Sequence, residues 1–214
     1  MSEPLQLAGP LRGDALVRNS PADRVPSHGT RIGASAHAID LVPLDQQGSS
    51  APYTLASLLL PKPPQRFAGF DAEVLAPVAG VVREVHDGEA DHLAHRGVPS
   101  LLYALTQRRR LARGWIGLAG NHVVLETVHG SRAAFVALCH LRRGSLRVAP
   151  GDRVAAGEVI ARCGNSGNSM QPHVHLQVMD AVDPGSAAAL PLLVAGGVPR
   201  SGQRLPGAQR ADGP

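Results

Sequence analysis

The sequence predicts a mainly β fold: a compact antiparallel sheet or sandwich-like structure with a partly helical insertion. Three observations carry this. The 214 residues include 24 Gly and 18 Pro, about a fifth of the chain, which suits many turns and not a long-helix bundle. Apolar runs of strand length recur between those turn residues. Aromatics make up only 3% of the chain while hydrophobic residues make up 43%, so aliphatic side chains must pack the core.

In chain order, residues 1–19 read as an N-terminal extension whose short apolar stretches can supply edge strands. Residues 37–43, HAIDLVP, read as a strand with Ile39 and Leu41 on one face. Residues 54–60 could form one helical turn. Glu73–Pro77 and Val81–His86 read as two strands joined at Pro77–Gly80. Residues 87–118 form an insertion, with helical spacing over Ser100–Arg113. Asn121–Val128 and Ala133–Leu141 read as a hairpin turning at His129-Gly130-Ser131. Leu146–Ala149 and Glu158–Cys163 read as further strands. The Gly164–Pro172 loop feeds a last strand, His173–Met179. Residues 20–196 are thus the expected domain, and 197–214, rich in Gly, Pro, Arg and Gln, are expected to be disordered.

Composition narrows the function classes. Two cysteines exclude a disulfide scaffold and a Cys-rich zinc module. Without an export signal, Cys139 and Cys163 are expected as reduced thiols. The formal net charge is +4, but the basic residues are scattered. Arg108, Arg109 and Arg110 form the one run, read as a solvated surface run. With few aromatics for stacking, no nucleic-acid partner is expected. No apolar stretch of about 18 residues exists, so no integral membrane segment is expected. The first twenty residues carry no basic n-region followed by an apolar h-region, which makes cytoplasmic residence the default expectation.

Ten histidines are the most informative count. His173-Val174-His175 places two imidazoles on one strand face, with Val174 and Leu176 toward the core. Alone, such a pair is more often a surface feature. Two further oddities change the balance. His140 lies in the apolar run FVALCHL, and Asp40 lies inside HAIDLVP. A carboxylate within an apolar strand is costly unless paired, hydrogen-bonded or metal-bound. Two histidines and a carboxylate with an open fourth position is a catalytic zinc pattern. An upstream histidine is still needed, and His28 and His37 are the candidates. Residues three apart on a strand face opposite ways, so His37 and Asp40 should diverge and His28 is preferred. His86, His92 and His95 read as a solvated polar loop. His122 reads as cleft-lining or exposed, and His129 as a turn residue.

Taken in order, SHGT, HAIDLVP, EVLAPVAGVV, GNHVVLE, FVALCHL, VAPGDRVAAGEVIARCGNSGNS and PHVHLQVMD resemble the lysostaphin/LytM-type zinc metallopeptidases over roughly residues 20–180. The family's compact motif has His and Asp four apart, whereas position 36 here is Ala. The resemblance implies a duplicated hybrid β motif and one zinc ion per chain. Its ligands would be His28, Asp40 and His175, with His140 and His173 as catalytic groups. It implies a metalloendopeptidase acting on peptide bonds of peptidoglycan stems or cross-bridges. The cell envelope is then the expected place of action, against the cytoplasmic default. The alternatives are a catalytically inactive LytM-like module that binds or activates a wall hydrolase and, less favoured, a phosphocarrier-like domain. The Gly164–Ser169 loop is expected as a cleft wall or a plain connection, and Asn121 as a substrate contact.

Overall fold

The computed structural model describes residues 3–52 and 59–208. The helical turn expected at 54–60 lies mostly outside these residues. Thirteen strands are found among the described residues: β1 (Leu5–Leu7), β2 (Ala15–Arg18), β3 (Ile39–Pro43), β4 (Glu73–Leu75), β5 (Gly80–His86), β6 (Asn121–His129), β7 (Arg132–Leu141), β8 (Arg153–Val154), β9 (Val159–Arg162), β10 (Val174–Met179), β11 (Ala189–Leu190), β12 (Leu192–Val194) and β13 (Arg204–Leu205). Three short helices occupy the insertion: α1 (Val98–Leu105), α2 (Gln107–Leu111) and α3 (Gly114–Ala119). The fold is mainly β.

One antiparallel sheet dominates, in the order β13-β2-β3-β10-β7-β6-β5-β8, with β11 also on β10. Two small pairs accompany it, antiparallel β4-β9 and parallel β1-β12. The alternation of each strand sorts its side chains between two faces. Ile39, Leu41, Leu138, Val174 and Leu176 are fully buried in the main core, which the small pairs close with Val74, Ile160, Leu5 and Leu192. The opposite face carries Ala137, Cys139 and Met179, against which Trp115 of α3 packs. That second face is the floor of the cleft.

Several expectations need correction. β4 and β5 are present as expected, β4 ending at Leu75, two residues earlier than expected; β4 pairs with β9, and β5 with β6 and β8. Leu146–Ala149 is not a strand, although Leu146 and Val148 pack on the core and Arg147 N donates to Ile160 O. The 197–208 segment is not irregular throughout. Arg204–Leu205 pair with β2 and form the sheet's edge, because β2 presents a free row of backbone groups there. β2, expected as an edge strand, lies between β13 and β3. Both cysteines are free and buried, and burial raises both thiol pKa values.

Candidate functional site

Strand register builds the centre of the site. Asp40 of β3 stands directly opposite His175 of β10. Opposed residues share a sheet face, so both side chains rise from the cleft floor. His175 Nδ1 lies 3.0 Å from Asp40 Oδ1. Its Nε2 is 2.9 Å from Gln177 Oε1, while Gln177 Nε2 donates to Gly33 O at 2.8 Å. The amide oxygen of Gln177 can only accept, so His175 carries its proton on Nε2 and turns the Nδ1 lone pair toward Asp40.

His28 comes from the loop before a 3-10 stretch at Ile32–His37. Ser27 anchors that loop: its N–H donates to Ala36 O and its hydroxyl to Ser35 O. The same hydroxyl accepts from His28 Nδ1 at 2.9 Å, which leaves the lone pair on Nε2. That nitrogen is 3.1 Å from Asp40 Oδ2. It is nevertheless a buried nitrogen without a hydrogen-bond partner. One ligand atom each from His28, Asp40 and His175 lie within 4.8 Å of one another. A buried, unpartnered imidazole nitrogen beside a carboxylate and a second imidazole lone pair is a donor set suited to zinc. His37 ends the 3-10 stretch, half-buried, and does not line the cleft.

Burial works to raise the Asp40 pKa, but the protonated forms of the neighbouring rings outweigh it, His28 and His173 by charge and His173 and His175 by hydrogen bonding, and the carboxylate is held well below its usual range. Asn19 adds a 2.7 Å hydrogen bond to Oδ2.

The second pair of histidines stands beside the first. The His140 and His173 ring centroids are 4.6 Å apart, and His140 is 5.9 Å from His175. Strict alternation would send His140 toward the core with Leu138. It does not, because β7 bulges there. Cys139 pairs with His122 and Leu141 with Asn121, leaving His140 as the extra residue, with a φ of 64°. Bulges re-aim side chains in this way. His140 Nδ1 donates to Ser166 O at 3.0 Å, and His173 Nδ1 donates to Gln171 O at 2.8 Å. In the neutral rings each Nε2 therefore carries a lone pair, and His173 Nε2 is 3.6 Å from Asp40 Oδ1. Burial, reinforced by His173 and His175, lowers the His140 pKa well below normal. Burial also opposes charge on His173, yet Asp40 and the Gln171 carbonyl outweigh it and raise that pKa.

The Gly164–Ser169 loop frames these rings. Ser166 O holds His140, and Ser169 Oγ lies 3.1 Å from His173 Nδ1. Asn121 is fully buried and does not line the cleft. Its side chain bonds Glu89 and Leu141 O, tying the insertion to β7. His122 is also fully buried, accepting from Trp115 Nε1 and donating Nδ1–H to Gly120 O. His92 is not simply solvated, since its Nε2 is 3.1 Å from Gly167 O. Sequence reasoning missed Asn19, Ser27 and Gln177. Gln177 had a signal, standing two residues past His175 on the same face. Ser27 stood beside His28 in SHGT and bonds it locally, whereas Asn19 had no signal, since a contact 21 residues along the chain brings it to Asp40.

The five side chains open into a cleft of about 780 Å³, walled by the insertion through Tyr103, Arg110 and Trp115. No helix among the described residues is long and apolar enough to cross a membrane.

The chain is similar to several known structures. The catalytic domain of lysostaphin from Staphylococcus simulans is 17% identical, over 75% of this chain and 80% of that one, with a TM-score of 0.40. A mutant catalytic domain of the prophage-encoded M23 protein EnpA from Enterococcus faecalis is 17% identical, over 73% of this chain and 75% of that one, with a TM-score of 0.37. Csd3 of Helicobacter pylori is 12% identical, over 87% of this chain and 32% of that one, with a TM-score of 0.42. The family model described as Peptidase family M23 matches residues 66–185. That span takes in His140, His173 and His175, and begins after His28 and Asp40. It is more than half of the sequence, and the chain belongs to Peptidase family M23.

Proposed function

We propose that this chain is a zinc-dependent metalloendopeptidase that hydrolyses peptide bonds in peptidoglycan stem or cross-bridge peptides. The convergence of His28, Asp40 and His175 at one point is the observation that carries this reading. These three residues would hold one zinc ion, and residues 20–196 would form the peptidase unit, its sheet completed by β2 and β13. Bound zinc supplies Lewis acidity, acidifying water and polarising a peptide carbonyl.

The remaining chemistry belongs to the chain. Gln177 and Ser27 set the tautomers of His175 and His28, so that Nδ1 of one and Nε2 of the other are free to donate electron pairs. The Nδ1–H groups of His140 and His173 are tied to backbone carbonyls. Each ring thus offers Nε2 to the cleft, where it takes a proton from water or returns one to the leaving amine. A protonated Nε2 also donates to a carbonyl oxygen as negative charge grows on it. The presence of all five side chains supports a peptidase over an inactive binding module.

Metal analysis beside peptide cleavage tests this. The purified chain is expected to carry about one zinc, as a single three-ligand site requires. Asp40→Ala and His175→Ala should lose both metal and activity. His140→Ala and His173→Ala should keep the metal and lose about 10²–10⁴-fold in rate. His28→Ala should lose zinc and His37→Ala should keep it. Zinc retained in Asp40→Ala would overturn the ligand set. Full zinc content with no cleavage of any wall peptide would favour the binding module.

A further inference from the structure

We propose that Arg110 is a specificity-determining residue that binds a carboxylate of the peptide in the cleft, so that the site selects acidic peptides over their neutral amides. The inference rests on the reading of the cleft as a peptide site, and adds the charge of the peptide.

Arg110 stands apart from its neighbours in the basic run. Arg108 and Arg109 are exposed, whereas Arg110 is half-buried on the cleft wall. Its guanidinium lies over the Tyr103 ring, 3.7 Å from the centroid. Nε donates to Asn168 Oδ1 at 2.7 Å, one Nη to Thr106 Oγ1 at 2.7 Å, and the other to Tyr103 O at 2.8 Å. All three partners are neutral. Among the described residues no carboxylate forms an ion pair with it. Three of its five N–H groups are used, so two remain for a ligand. The fork is thereby held rigid before any ligand arrives, which limits the entropy lost on binding.

The cleft as a whole agrees. Asp40 is the one carboxylate among its described lining residues, and it is engaged by Asn19 and the site histidines. The lining cations are Arg18, Arg96 and Arg110. A cleft lined by one sign of charge with low-dielectric walls concentrates ligands of the other sign. Such an excess of cations offers nothing to an all-glycine peptide beyond backbone contacts. It does offer a charge-assisted contact to a carboxylate.

The test uses the full chain with zinc added. The probes are blocked hexapeptides of Gly and Ala with a single Glu walked through the positions, beside the same set with Gln. N-acetylation and C-amidation leave the Glu side chain as the one carboxylate. Trp115 is the single tryptophan and lines the cleft, so its fluorescence reports binding, while mass spectrometry reports cleavage. The best Glu peptide is expected to bind at least about tenfold more tightly than its Gln partner. Added salt should narrow that gap. Arg110→Gln should bring the ratio near one, with the larger loss falling on the Glu peptides.

Equal binding of Glu and Gln peptides by the wild type overturns the proposal, whether or not that variant folds. A preference that survives in a folded Arg110→Gln overturns the assignment to Arg110. Cleavage without preference leaves the peptidase reading standing and this one refuted. Preference without cleavage leaves this proposal standing and the peptidase reading to the wall-peptide assay, and no binding of either set refutes this proposal.

Discussion

At His140 a φ of 64° puts a non-glycine residue in the left-handed region. That conformation costs an L-residue about 1–2 kcal/mol. The cost is offset by what the bulge achieves, since it turns the imidazole from the core side of β7 to the cleft. Glycine at 140 would remove the backbone penalty, and alanine would retain it. His140→Gly is therefore expected to melt about 2–4 °C above His140→Ala, with cleavage impaired alike in both. Thermal unfolding followed by circular dichroism checks this, and equal melting would show that the bulge imposes no local strain. His173-Val174-His175 and Asp40 were legible as residues because polar groups in apolar strands demand partners. Which nitrogen of each ring faces the cleft was not legible. That is decided by Gln177, Ser27, Ser166 and Gln171, through hydrogen bonds that strand alternation does not encode.

The Gly164–Ser169 loop acts as an element by holding two histidines at once. Its seat depends on close backbone packing against the end of α3. Gly167 has a φ of 69°, and a Cβ there would lie 2.8 Å from Leu118 O. Gly120 has a φ of 63°, and its Cβ would lie 2.5 Å from the Ser166 carbonyl carbon. Gly167→Ala is expected to destabilise the fold by about 1–3 kcal/mol, through overpacking and an unfavourable φ. Denaturant unfolding measures the loss. Peptidase activity should fall further than the folded fraction accounts for, because Ser166 O and Ser169 Oγ shift with the loop. An unchanged unfolding midpoint would show that the loop adapts freely. The hairpin β6-β7 and the strand β10 were readable from alternation between turn residues. β13 was not, since a two-residue strand in a polar, Pro/Gly-rich tail carries no periodic signal.

For the molecule as a whole, the C-terminal segment closes the sheet on the side of β2. Asp14 ties it down: Oδ1 accepts from Gly207 N at 2.9 Å and Oδ2 from Arg204 Nε at 2.6 Å. The Gly207 amide lowers the Asp14 pKa against a smaller opposing effect of desolvation, with Arg204 assisting. A carboxylate whose folded pKa is depressed stabilises above its unfolded value and loses that effect as pH falls through the folded one. The tie should therefore hold at neutral pH and weaken only below about pH 4. Hydrogen exchange of the 204–208 amides, corrected for intrinsic rates, should accelerate in Asp14→Asn already at neutral pH. Matching exchange in variant and wild type would show that β13 is held by its strand pairing alone.

What the sequence determined by itself was the β class, most strands of the main sheet, and which histidines and carboxylate stand out in apolar strands. Side-chain period, turn residues and the cost of isolated polar groups are local properties, readable from neighbours in the chain. What only the tertiary structure decided was register and surroundings. The pairing of β3 with β10 sets Asp40 against His175, and the loop at Ser27 brings in His28. The bulge re-aims His140, and the insertion folds over to place Arg110 on the cleft wall. Arg108, Arg109 and Arg110 are alike as a run of letters. They differ because burial and hydrogen bonding depend on what the rest of the chain packs against each of them.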